Sequence, residues 1–155
     1  MRIVLGADHR GYVLKNAIAE HLKTSGHDVI DVGTNGSDPV DYPDVAVDVA
    51  RPILSGDADR GIVLCGSGVG AAIASNKIPG IRAGLCHDTY SAHQGVEHDD
   101  MNVICMGSRI IGDELAREIV DAFVDARFMD KERYRRRLQK IRALEQNHET
   151  VERNK

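Results

Sequence analysis

No run of about 18 consecutive apolar residues occurs in the sequence, which excludes a membrane-spanning helix on length alone. The opening Met1-Arg2-Ile3-Val4-Leu5-Gly6 meets an acid by Asp8, too short an apolar run for a secretory signal. No export is therefore expected, and the expected location is the cytoplasm. Cysteine is scarce, and Cys65, Cys86 and Cys105 form an odd set without C-x-x-C spacing. That pattern fits neither a disulfide framework nor a thiolate zinc site, so the three are expected to be free thiols. A basic excess is also missing. The formal charge of −4 excludes general nucleic-acid binding, which needs a cationic footprint to displace counterions from phosphates. An anionic ligand would require a local basic pocket.

Internal repeats, low-complexity tracts and composition breaks are absent as well. Residues 1–146 are accordingly read as one domain and 147–155 as a polar tail. Apolar content of 42% and charged content of 28% are ordinary for a globular chain. A domain of this size buries roughly 70% of the surface that its unfolded chain exposes, enough for a core without covalent staples.

Ile3-Val4-Leu5, Val29-Ile30, Gly61 to Cys65, Ile81 to Cys86 and Val103 to Met106 are short apolar runs without clear alternation, the pattern of strands buried on both faces. Between them lie helical patterns near 10–25, 43–55, 69–77, 88–98 and 112–126, with Pro43-Asp44 a typical helix start. The alternation predicts parallel strands joined by crossover helices in a three-layer α/β sandwich, with functional residues at the carboxyl ends of the strands. One more helix is expected over 130–147, where Tyr134, Leu138, Ile141 and Leu144 form an apolar stripe that should dock on the body or on a partner subunit.

The strongest local signal is Cys65-Gly66-Ser67-Gly68-Val69-Gly70, a glycine-rich turn between a buried strand and a helix. Backbone N–H groups of such a turn converge on a concavity that suits phosphate or an oxyanion formed during reaction. Thiols at helix N-termini ionise more readily than free cysteine, which makes Cys65 a candidate base. The alternative is a buried cysteine that merely ends a core strand, and for Cys86 and Cys105, which lack the glycine turn, that reading leads. Gly66, Gly68 and Ala71 also satisfy G-x-G-x-x-A, with Asp88 about twenty residues on, a partial dinucleotide fingerprint. It falls on the third strand rather than the first, and no G-x-x-x-x-G-K-[ST] loop is present.

Asp8-His9 follows the first strand directly and should project into the same crevice as Cys65, where a polar pair suits hydroxyl or phosphate binding. Helix capping by Asp8 is the structural alternative. His93 and His98 point away from each other at about 100° per residue, and His87 and His98 are roughly 16 Å apart along a helix, so no metal site is expected. Arg133 and Arg137, four apart, place two guanidinium forks on one helix face; they could grip one phosphate or belong to a solvated face shared with Arg135, Arg136 and Arg142.

With these residues in view, about residues 1–146 resemble the type B ribose-5-phosphate isomerases and the galactose-6-phosphate isomerase subunits. The landmarks are Gly6-Ala7-Asp8-His9 with Gly11, Asp41-Tyr42-Pro43-Asp44, Gly61 through Gly70, Asn76-Lys77-Ile78-Pro79-Gly80-Ile81-Arg82-Ala83, and Gly107-Ser108-Arg109. The resemblance implies a Rossmann-like fold, no cofactor or metal, and a homodimer or homotetramer with shared active sites. It implies aldose–ketose isomerisation of a small sugar phosphate, with Cys65 as base and the Gly66, Ser67, Gly68, Val69 and Gly70 turn stabilising an enediolate. By the same resemblance Asp8 and His98 handle sugar hydroxyls and ring opening, Tyr42 and Asp99 contact substrate, and His9, Arg109, Arg133 and Arg137 cradle the phosphate.

Several positions depart from the ribose pattern. Asp99 stands where asparagine is usual, exchanging an amide donor for an acceptor. Ala92-His93-Gln94-Gly95-Val96 lacks the basic residues common there, and Lys131-Glu132 and Tyr134 flank Arg133 in place of Gly-Gly and His. Ribose 5-phosphate is the first expected substrate. Erythrose or erythrulose 4-phosphate and a hexose 6-phosphate are alternatives, and a non-catalytic nucleotide or sugar-phosphate binding module is the alternative of another class.

Overall fold

The computed structural model describes residues 1–146; the expected tail at 147–155 lies outside the described residues. The elements run β1 (Arg2–Ala7), α1 (Tyr12–Thr24), β2 (Asp28–Asp31), α2 (Tyr42–Ser55), β3 (Arg60–Cys65), α3 (Val69–Ser75), β4 (Ala83–Leu85), α4 (Thr89–Asp99), β5 (Val103–Gly107), α5 (Asp113–Asp125) and α6 (Glu132–Gln146). All strand pairings are parallel, in the order β2-β1-β3-β5-β4. The expected α/β three-layer Rossmann-like sandwich with a C-terminal helix is what the chain forms.

Side chains on a strand alternate between faces, and here the alternation assigns each helix to a layer. Ile3, Leu5, Ile62, Leu64, Ile104 and Met106 pack with Leu14, Ile18 and Leu22 of α1, Ala92 and Val96 of α4, and Ile119 and Phe123 of α5. The intervening Val4, Val63, Cys65, Val103 and Cys105 pack with Val45 and Val49 of α2 and Ala71 and Ala72 of α3. Cys65 therefore faces the α2/α3 layer. Burial on both faces holds for β1, β3 and β5 but not for β2 and β4, which are the sheet edges and leave residues such as Asp31 and Leu85 exposed.

Two helix boundaries have a local cause. α1 begins two residues later than the apolar pattern suggests, because Asp8 Oδ1 accepts from the N–H groups of Arg10 and Gly11 and holds them in a turn. Gly56, at φ +82°, ends α2 in the left-handed conformation that glycine adopts without a side-chain clash. The α6 stripe docks only in part: Tyr134 and Leu138 are buried, whereas Leu144 is 69% exposed. No helix among the described residues is long and apolar enough to cross a membrane.

Candidate active site

The chain leaves β1 toward β2 on one side and returns to β3 on the other, so β1 and β3 flank a topological switch point, where open α/β sheets carry their ligand crevice. Ala7 is in register with Leu64, and the N–H of Asp8 donates to the Leu64 carbonyl at 3.0 Å. Asp8 and Cys65 thus leave adjacent strands at the same level. Both line a cleft of about 450 Å³, together with His9, Arg10, Asp41, Tyr42, Gly66, Ser67, Gly70 and Arg109.

Cys65 is 4% exposed: it ends a core strand, as the interior reading expects, and it also borders the cleft. The N–H of Gly68 donates to Cys65 Sγ at 3.1 Å. That contact needs the glycine, because Gly68 sits at φ +80° and a Cβ there would lie 2.5 Å from Leu85 Cδ1 and 2.9 Å from the Met106 carbonyl carbon. A Cβ on Gly70 would lie 2.7 Å from Tyr42 Cζ, so the Tyr42 ring lies flush against the turn. Ser67 is exposed and its Oγ accepts from the Val69 N–H at 3.3 Å. Of the turn, Gly66, Ser67 and Gly70 line the cleft, while Gly68 and Val69 serve its internal bonds. α3 has only seven residues, about two turns. Local N–H groups, more than a long helix dipole, therefore set the polarity here.

Asp8 does not cap α1, whose N-cap is Gly11, but closes the turn before it. Its Oδ1 accepts from Arg10 N at 2.8 Å and Gly11 N at 3.0 Å, and the carboxyl, though buried, borders the cleft. His9 Nδ1 accepts from the Val40 N–H at 3.4 Å, tying the end of β1 to the loop that leads through Asp41 into α2 at Tyr42. Ser108 Oγ donates to the carbonyls of Arg10 and Cys65, and the Arg109 N–H donates to the Gly66 carbonyl, so the β5 turn is bonded to both other strand ends. Arg10 and Arg109 provide the local positive charge that an anionic ligand needs on a chain of net negative charge. Arg10 escaped the sequence reading because its position resembled an ordinary helix start; a cation directly after Asp8-His9 at a strand end was the available signal.

His98, Asp99, Arg133 and Arg137 do not line this cleft. His98 stacks on Tyr134 at 4.2 Å between centroids and 16° between planes. Its Nε2 lies 2.9 Å from the Tyr134 hydroxyl and its Nδ1 2.6 Å from Gln94 Nε2. Arg133 donates to the same hydroxyl, with its guanidinium 4.5 Å from the ring centroid. Arg137 is exposed one turn on. Asp99 borders a separate groove with Ile141 and Leu144. The single chain therefore presents two constellations, a Cys65 cleft and a His98–Arg133 face.

Asp88 is the N-cap of α4: its Oδ1 accepts from the Ser91 N–H at 2.7 Å, and that bond holds its carboxyl below the ordinary value. It thereby has a structural task separate from the fingerprint's ribose contact. Burial pushes the Cys86 thiol up to about 11 and the Cys105 thiol up to about 12, consistent with core roles. His93 pairs with Glu97 at 3.2 Å, and among the described residues no group of three or more His, Cys, Asp or Glu is placed to hold a metal ion.

Residues 3–141 match the model of a family described as Ribose/Galactose Isomerase. The chain is 46% identical to the ribose-5-phosphate isomerase B of Escherichia coli, an alignment covering 94% of this chain and 97% of that protein. It is 45% identical to the D-erythrulose-4-phosphate isomerase of Pectobacterium atrosepticum, over 83% of this chain and 85% of the other. The solved Clostridium thermocellum ribose-5-phosphate isomerase B superposes with a TM-score of 0.92 at 47% identity, covering 95% of this chain and 99% of that one.

Proposed function

The chain belongs to the ribose/galactose isomerase family, and we propose that residues 1–146 are one domain interconverting a small aldose phosphate and its ketose, ribose 5-phosphate first, with Cys65 as the base. The observation that carries this reading is the Cys65 sulfur at the border of the switch-point cleft, with the Gly68 N–H directed at it. The thiolate takes the proton from C2 of the open-chain aldose while the C1 carbonyl electrons move onto O1. The resulting enediolate regains a proton at C1, and the O2 proton passes to O1, which leaves the ketone at C2. Gly66, Ser67 and Gly70 of the turn supply donors to the developing negative charge, while the Gly68 N–H is directed at the sulfur and the Val69 N–H at Ser67.

His9, Arg10 and Arg109 hold the phosphate, and that remote binding positions the reacting carbons against the sulfur. Asp8 binds sugar hydroxyls, Tyr42 covers the turn, and His98 assists ring opening. His98, Asp99, Arg133 and Arg137 reach substrate from a second copy of the chain, in a homodimer or homotetramer with shared sites. The reaction uses no metal or organic cofactor, and the enzyme works in the cytoplasm. Asp99, an acceptor where the ribose pattern has a donor, together with 45% identity to an erythrulose-4-phosphate isomerase, favours a four-carbon phosphate as the second reading.

Replacing Cys65 by alanine should abolish deuterium exchange at C1 of ribulose 5-phosphate in D2O while far-UV circular dichroism stays the same. Exchange at the wild-type rate in C65A would remove the sulfur from the mechanism.

A further inference from the structure

Gln94 and His98 are four apart on α4, so their side chains meet on one face, and the amide reaches the imidazole Nδ1 at 2.6 Å. The end of the amide turned to the ring is Nε2, which only donates. A neutral imidazole has one protonated and one lone-pair nitrogen. If Nδ1 accepts from Gln94, the ring proton is on Nε2. Nε2 faces α6, where the Tyr134 phenol oxygen lies 2.9 Å away and also receives an Arg133 N–H. The ring is further held by its stack on Tyr134, 2% exposed, and α6 is tied to α4 by the Met129 N–H bond to the Glu97 carbonyl at 2.8 Å.

We propose that Gln94 is a positioning residue that fixes His98 as an Nε2–H donor toward a sugar oxygen during ring opening; the Tyr134 oxygen, carried on a ring stacked 16° from parallel, lies off the imidazole plane and leaves that in-plane N–H unclaimed. The inference rests on the proposed isomerase reading for the role of His98, but not for its tautomer. A ring-opening group must deliver a proton to the ring oxygen as the C1–O bond breaks. An imidazole with its proton on the opposite nitrogen, turned to Gln94, cannot do so from this orientation.

The test crosses donor and acceptor at position 94. Imidazole nitrogen-15 spectra at about pH 8, above the ordinary histidine range, should show Nε2–H for His98 in the wild type and in Q94K, whose side chain also only donates. In Q94E, which accepts, the proton should move to Nδ1. An Nδ1–H wild type, or a Q94E spectrum like the wild type, overturns the proposal, and this readout needs no turnover.

A kinetic arm separates positioning from general damage. Ribulose 5-phosphate cannot close a five-membered ring because its O5 carries the phosphate, so its exchange at C1 bypasses ring opening. Q94L should lower kcat for ribose 5-phosphate about tenfold with little change in KM, and leave that exchange within about twofold of wild type. Equal losses in both would assign Gln94 a merely structural role. Absence of both reactions from the wild type would reject the isomerase reading, with the tautomer still decided by the spectra.

Discussion

The N–H of Asp8 donates to the carbonyl of Leu64 at 3.0 Å, and this one bond sets Asp8 beside Cys65 at the ends of neighbouring strands. A shift of one residue between β1 and β3 would turn Cys65 to the opposite face. The cleft chemistry is thus tied to the register of the sheet centre, where side chains such as Val4, Ile62 and Val63 are wholly buried.

Thiol labelling should separate the three cysteines. Burial pushes Cys86 and Cys105 up to about 11 and 12, so near pH 7.5 both stay protonated and react slowly. Iodoacetamide followed by peptide mass spectrometry should find Cys65 modified first, and ribose 5-phosphate should protect it. Faster labelling of Cys86 would contradict the placement of the cleft.

Substituting Gly68 should damage both turn and stability. In G68A the methyl group meets Leu85 and the Met106 backbone at a left-handed φ, which costs about 2–4 kcal/mol. Urea denaturation should show the midpoint fall at constant slope. A midpoint equal to wild type would mean that the turn relaxes freely.

Lys15 and Asp31 should respond asymmetrically. Lys15 Nζ is buried and bonded to Asp31 and Asn35, whereas the Asp31 side chain is 34% exposed. D31N leaves a buried ammonium without its counter-charge and should cost about 3 kcal/mol. K15M leaves a carboxylate that water and the Gly33 N–H can still reach, and should cost about 1–2 kcal/mol. Denaturant titration giving the reverse order would show that the burial difference does not govern this pair.

Asp88 makes α4 capping pH-dependent. Its folded value is lowered from 3.8 by the bond from the Ser91 N–H, so the capping contribution is present above the unfolded value and is lost as pH falls through the folded one. D88N, which can cap without ionising, should match wild type in thermal midpoint at neutral pH and lose less of it on acidification below about 3.8. Thermal scans across that window compare the two, and parallel acid slopes would exclude Asp88 as a contributor.

The proposed sharing of sites between two subunits predicts complementation. C65A and R133A subunits, each impaired alone, should recover about one quarter of the wild-type rate when refolded together one to one, because about half of the dimers are mixed and each carries one intact site. No recovery would place both constellations in the service of a single chain.

Much of this molecule was legible along the chain. Apolar runs and helix starts locate every strand and helix to within a few residues, because alternating buried strands and amphipathic helices carry strong local patterns. Cys65 on its glycine turn and Asp8-His9 after β1 stand out for the same reason, each being a local departure from those patterns. Edge strands could not be told from central ones, since strand order depends on pairing between distant segments. Asp88 shows the same limit: its spacing suits a ribose contact, yet its carboxyl caps α4.

The layers, the elements and the turn that holds a thiol follow from local pattern, because each depends on residues close together in the chain. Tertiary structure alone decided that Arg10 and Arg109 border one cleft, that Cys65 faces the α2/α3 layer, and that Gln94, His98, Tyr134 and Arg133 form a separate constellation. Those relations follow from strand register and helix packing, which bring together groups up to about a hundred positions apart, as in the Ser108 hydroxyl bond to the Arg10 carbonyl across 98 residues.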